Sequence, residues 1–222
     1  MKIVVYSAKG AAGKTPIATN IVLDRGYALG TNEHFHVFDG FIPDDRLLAL
    51  EANEAFPDVP DEIDIVFDLA GSITENSISI ISALKQADIV IVPISNEVKS
   101  LRSGIGTIRE IKQFTSNILV VATKLQKHRK DTFKDDWRQC SDFVNVKKQL
   151  ESNLDFNLTV LPLKFSSVFD SIFEQEMSIK QIMATNPLAK FNFRGVSAQF
   201  DDIYNHLDGV KKHAKQKQPI SA

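Results

Sequence analysis

A short turn near the N-terminus limits what this chain can fold into more than any other feature. The apolar run Ile3-Val4-Val5-Tyr6 reads as a buried strand, and Ile17, Ile21, Val22 and Ala28 recur at helical spacing. Between them stands Lys9-Gly10-Ala11-Ala12-Gly13-Lys14-Thr15-Pro16. Strand, small-residue turn, Lys-Thr and helix together make a phosphate-binding loop. Its backbone N–H groups and the helix N-terminus converge on one point, where an anionic phosphate satisfies them. In such a loop Lys14 reaches the outer phosphates and the Thr15 hydroxyl ligates Mg²⁺.

The loop departs from the ordinary G-x-x-x-x-G-K-[ST] pattern, because Ala8 occupies the first glycine position. What fits is K-G-G-x-G-K-T, with Lys9 ahead of the glycines and Ala11 in the slot of the second one. In this it resembles the deviant Walker A loop of the ParA/MinD class of ATPases, closest to the small plasmid partition proteins. The resemblance implies ATP and Mg²⁺ as cofactors and a homodimer that sandwiches the nucleotides. It also implies that Lys9 crosses to the partner subunit, where a cation offsets charge developing on the phosphoryl oxygens. A positive φ at Ala11 would bring strain, so weaker or slower nucleotide handling is expected rather than loss of the site.

Further along, short Val/Ile/Leu runs alternate with longer amphipathic stretches. Strands are expected at 2–6, 34–39, 63–69, 88–94, 117–123 and 157–163, and helices at 14–29, 75–86, 99–114, 131–153, 178–184 and 196–210. Near-continuous apolar strands separated by helices predict an α/β fold, a doubly wound and mostly parallel sheet with helices on both faces. One domain over 1–210 is expected, with a basic polar tail over 211–222.

In such a sheet, chemistry gathers at the C-terminal ends of the strands. After Val37-Phe38 comes Asp39, where the resembling family has the first acid of a D-x-D-P turn, assigned to the Mg²⁺ shell and to catalysis. Phe41 fills the slot of the second acid, so either hydrolysis is weak or Asp44 or Asp45 takes that role. Ile63-Asp64-Ile65-Val66-Phe67-Asp68 ends in the acid expected to hold Mg²⁺. Gly71 follows in a D-x-x-G-S turn, where backbone N–H can approach the outer phosphate, making 69–74 a candidate switch. Thr123 occupies a position where the family often has Asn near the base, and 165–171 resembles its late loop.

With 43% hydrophobic and 24% charged residues, the composition is that of a globular protein. No apolar run approaches the ~20 residues needed to span a bilayer, and the first is too short for a signal peptide. A single cysteine, Cys140, excludes a disulfide framework and points to a reducing, cytoplasmic setting. It also argues against the iron–sulfur relatives of the superfamily. A net charge of −2 leaves DNA contact to local patches: Lys124, Lys127, His128, Arg129, Lys130 and Lys134, and the run Lys211–Lys217.

The expected function is a partition or positioning ATPase. It binds DNA non-specifically, associates with the nucleoid, and is released when a centromere- or cargo-binding partner stimulates slow hydrolysis. The alternatives are a membrane-positioning ATPase of the MinD kind, a feebly hydrolysing nucleotide-switch scaffold, and a metabolic ligase or kinase sharing the loop.

Overall fold

The computed structural model describes residues 1–33, 37–71, 73 and 77–216. Seven strands form one sheet: β1 (Lys2–Tyr6), β2 (Ala28–Thr31), β3 (Leu47–Ala49), β4 (Ile65–Leu69), β5 (Ile89–Ser95), β6 (Ile118–Leu125) and β7 (Thr159–Lys164). Their spatial order is β3-β2-β4-β1-β5-β6-β7, and every adjacent pair is parallel. Seven helices accompany them: α1 (Lys14–Arg25), α2 (Ile78–Gln86), α3 (Val98–Ile111), α4 (Ser141–Asn153), α5 (Val168–Gln175), α6 (Ile179–Thr185) and α7 (Pro187–Gln216).

Alternation along the central strands explains the two layers. Ile3 and Val5 of β1 join Ile17, Ile21 and Phe200 in one apolar cluster, beneath α1, α5, α6 and α7. Val4 and Tyr6 face the other way, into a cluster with Ile80, Ile105 and Val146 of α2, α3 and α4. A strand covered on both faces has no polar side to show, which is why these segments read as unbroken apolar runs.

The second strand is not the expected one. Helix α1 stops at Gly26 in the left-handed region (φ 68°), and after Tyr27 the chain enters β2 directly. Of the expected strand 34–39, residues 34–36 lie outside the described residues, and Val37–Asp39 form a bend and a turn. The true strand is disguised by Gly30. A Cβ there would meet Phe67 Cδ1 at 2.6 Å and Phe56 Cε1 at 3.1 Å, so only glycine admits the two rings, which meet edge to face. Strand β3, a three-residue edge, was not expected either.

Helix boundaries shift for local reasons. Helix α4 begins at Ser141 rather than 131, because Asp131 accepts from His128 N, Ser141 N and Ser141 Oγ and thereby folds the preceding loop. Helix α7 begins at Pro187 rather than 196, with Asn186 Oδ1 accepting from Leu188 N at 2.8 Å. The same helix continues through Gln216, past the expected start of a tail at 211. Lys211 pairs with Asp64, which also meets the Met1 amino group, so this end of α7 is clasped beneath β4.

Candidate nucleotide-binding site

The loop between β1 and α1 is held in shape before any ligand arrives. Gly13 takes φ 97° as the N-cap of α1, and Ala11 takes φ 56°. A left-handed non-glycine residue costs about 1 kcal/mol, and the expected strain at Ala11 is present. Surrounding contacts hold that geometry: Thr123 Oγ1 donates to Ala12 O at 3.0 Å, and Ala8 N donates to Thr107 Oγ1 at 3.3 Å. The Thr123 methyl lies 3.7 Å from where a Gly13 Cβ would stand. Thr123 is therefore a buttress for the loop, which no spacing argument identified.

The sequence-predicted groups converge at this loop. Lys14 is buried, and its Nζ donates to Lys9 O at 3.4 Å, a long bond. Asp68, at the end of β4, is 2% exposed, and both its carboxylate oxygens lack a hydrogen-bond partner among the described residues. Burial pushes its pKa up to about 6; the neighbouring Thr15 hydroxyl and Lys14 pull it down, and Glu33 pushes it further up. Two orphaned carboxylate oxygens beside a threonine hydroxyl are incomplete without a ligand. They suit a hard cation such as Mg²⁺, which takes one carboxylate and completes its shell with hydroxyl, phosphate and water oxygens. The residues present fit that ion.

Gly71 takes φ 92° and its carbonyl accepts from Tyr6 OH at 3.3 Å, which places the glycine just beyond the end of β4. Residues 72 and 74 of the expected switch lie outside the described residues. Gly10, Ala12 and Pro16 sit in or beside the loop as expected, with Ala12 fully buried.

Asp39 is not brought to a strand end: it occupies an exposed turn. Phe41 is not in an acidic slot facing the loop, because it packs against Phe38 and Phe173, with ring centroids 6.0 and 6.4 Å away. Asp44 and Asp45 lie in an exposed 3-10 turn. The strand end beside Asp68 belongs instead to Thr31, whose register partner in β4 is Asp68. Next along, Asn32 clamps the end of β4, donating to Ala70 O (3.1 Å) and Ser79 Oγ (3.0 Å) and accepting from Ala70 N (2.8 Å). Glu33 follows, near enough to raise the pKa of Asp68. Sequence reasoning missed Glu33 because it placed the second strand too late.

Beside the loop opens a cleft of about 140 Å³. Pro16, Ile17, Leu163 and Phe169 give it apolar walls, and Lys124 and Asp170 stand among its polar lining. An apolar slot next to a phosphate loop, with a few polar groups, has the character of a site for a flat base.

No protein-family model matches the sequence, and a search of curated proteins finds no match. Among solved structures, apo McdA of Cyanothece superposes with a TM-score of 0.63 at 15% identity, covering 89% of this chain and 98% of that one. MinD of Pyrococcus horikoshii complexed with Mg-ADP gives 0.59 at 14% identity, covering 98% of both chains. A plasmid partition protein of Borrelia burgdorferi bound to AMPPNP gives 0.52 at 12% identity, covering 90% of this chain and 98% of that one. The structural neighbours of this chain are thus deviant Walker ATPases of the MinD/ParA kind, and it shares their α/β fold.

Proposed function

We propose that this chain is a positioning ATPase of the ParA type, which binds ATP with Mg²⁺, pairs with a second copy, and carries a cargo over non-specific DNA. The observation that carries the nucleotide reading is the buried, unpartnered Asp68 carboxylate set against Lys14 and Thr15 beneath the loop. Thr15 and Asp68 would hold Mg²⁺, which would supply charge neutralisation at the phosphates.

The chain's own residues supply the rest. Lys14 gives up its long bond to the Lys9 carbonyl for the outer phosphates, exchanging a neutral acceptor for an anionic one. Thr15 and Asp68 hold the cation, and Gly10 to Gly13 present backbone N–H groups to the phosphates. Lys9 serves the partner's nucleotide. For the residue that orients the attacking water, Glu33 stands at the strand end, and Asp39 would need its turn to move.

The DNA reading rests on cations without acidic partners. The predicted basic clusters are partly consumed: Lys127 donates to Phe133 O, His128 meets Asp142 at 2.9 Å, and Lys211 holds Asp64. Arg129, Lys130 and Lys134 form no ion pair among the described residues. These free cations suit sequence-blind phosphate contact. The membrane alternative finds less support. The apolar stripe of α7 (Val196, Phe200, Ile203, Leu207) is spent against the sheet. Among the described residues no helix is long and apolar enough to cross a membrane. Docking of a cargo-binding partner and a nucleoid location in the cytoplasm belong to the same proposal.

Retention on random-sequence duplex DNA with ATP, ADP or no nucleotide, at two salt concentrations, tests it. Retention that needs ATP, fades with salt and is lost in Lys14→Ala is the expected result. The absence of retention under every condition would remove DNA as the track.

A further inference from the structure

Lys9 is already engaged within its own chain. Its Nζ lies 2.6 Å from Glu97 Oε2, with the lysine side chain 25% exposed and the glutamate 57%. Glu97 is the N-cap residue of α3, yet its side chain makes no capping hydrogen bond. Its carboxylate is turned to the phosphate loop instead of its own helix. A second cation stands nearby. In the β5–β6 register Ser95 faces Thr123, so Glu97 and Lys124 emerge from neighbouring strand ends. Lys124 adds to Lys9 in holding the Glu97 carboxyl below its usual range. Lys124 forms no ion pair of its own among the described residues, and its backbone is fixed at φ 56° beside Thr123, which grips the loop.

We propose that Glu97 is a positioning residue for Lys9. It holds the lysine against its own subunit until a phosphate on a second copy draws it away, and Lys124 then takes its place on the carboxylate. This rests on the reading above, that Lys9 crosses to the partner's nucleotide. The replacement has a physical purpose. A carboxylate abandoned beside two polyphosphates would repel them, and a substitute cation removes that repulsion. An exposed pair of this kind is weak, so the hold is a bias and not a lock.

Two readouts test it. The first needs no nucleotide: brief acetylation with limiting acetyl N-hydroxysuccinimide, scored at each lysine by mass spectrometry. Glu97→Gln should raise Lys9 modification about two- to fivefold, the range for an exposed ion pair, and Lys124→Ala should leave it unchanged. Equal Lys9 modification in wild type and Glu97→Gln overturns the hold. The second is the ATP concentration at half-assembly, read by sedimentation. Glu97→Gln should lower it, Lys124→Ala should raise it, and Lys124→Ala should raise it less once Glu97 is Gln. A Lys124→Ala effect of the same size in both backgrounds overturns the hand-over. Wild type that binds ATP without assembling would overturn the underlying reading and the hand-over with it, and the acetylation result would still decide the hold.

Discussion

At the scale of single residues, the site is built from groups that the unliganded chain holds at a disadvantage. Asp68 is the clearest. Its pKa, raised to about 6 against an ordinary value of 3.8, means that between those pH values the folded chain keeps a proton the unfolded chain has lost. Stability therefore falls as pH rises through that window, by about 3 kcal/mol at most for a shift of this size. Asp68→Asn removes the term. It should raise the melting temperature of the nucleotide-free chain at pH 7.5 and change it little at pH 4, while weakening Mg²⁺-dependent nucleotide binding. Equal shifts at both pH values would show that the carboxylate is not strained by burial. Ala11 holds a second disadvantage, in its backbone. At φ 56°, replacement by glycine relieves up to about 1 kcal/mol of strain, partly offset by the greater freedom glycine has when unfolded. Ala11→Gly should therefore leave the melting temperature nearly unchanged and increase the rate of ATP association, measured by stopped flow with a fluorescent analogue. A slower association would place the benefit of Ala11 in holding the loop open.

At the scale of elements, what could be read from sequence follows from how each strand is buried. Strands β1, β4, β5, β6 and β7 were legible because an interior or doubly covered parallel strand needs apolar side chains in succession, and each has them. Strand β2 lies between β3 and β4, where the sheet thins toward its edge, and only four residues form it. Its one strong packing signal is an absence, the hydrogen at Gly30 that admits Phe67 and Phe56. Meanwhile Phe35, Val37 and Phe38 give the sequence 34–39 an apolar content like a strand's, and Phe38 is buried against the α1 side of the sheet for a different reason, as the anchor of a turn. With the strand displaced, the acid that follows it is Glu33, and Asp39 lies in a turn farther along the chain. Gly30→Ala tests this account of β2. A methyl group 2.6 Å from a ring carbon and flanked by a second ring cannot be relieved by one rotamer change, and overpacking of this kind costs about 1–3 kcal/mol. The variant should lose that much stability in urea unfolding, and Gly30→Ala with Phe56→Leu should recover part of it. No loss in the single variant would mean that the aromatic pair shifts freely.

At the scale of the whole molecule, the loop, the doubly wound sheet and Asp68 were all legible because each depends on residues adjacent in sequence. The contact proposed to govern pairing of two copies is of another kind. Lys9 and Glu97 are 88 positions apart, and nothing in either segment announces the other. On the proposed function, this separation lets the chain distinguish binding a nucleotide from acting on it. Lys14 and Thr15 stand in the loop beside Asp68, and the Lys9 side chain pairs with Glu97. Removing Lys9 should leave the first function and abolish the second. Lys9→Ala is expected to bind a fluorescent ATP analogue within about threefold of wild type, since one exposed ion pair is all that is lost within the chain. It should remain a single chain in sedimentation at ATP concentrations that pair the wild type. Its hydrolysis should fall by 10³-fold or more, the scale on which a cation supplied in trans acts at a phosphoryl group. Normal turnover by Lys9→Ala would place the catalytic cation elsewhere in the same subunit.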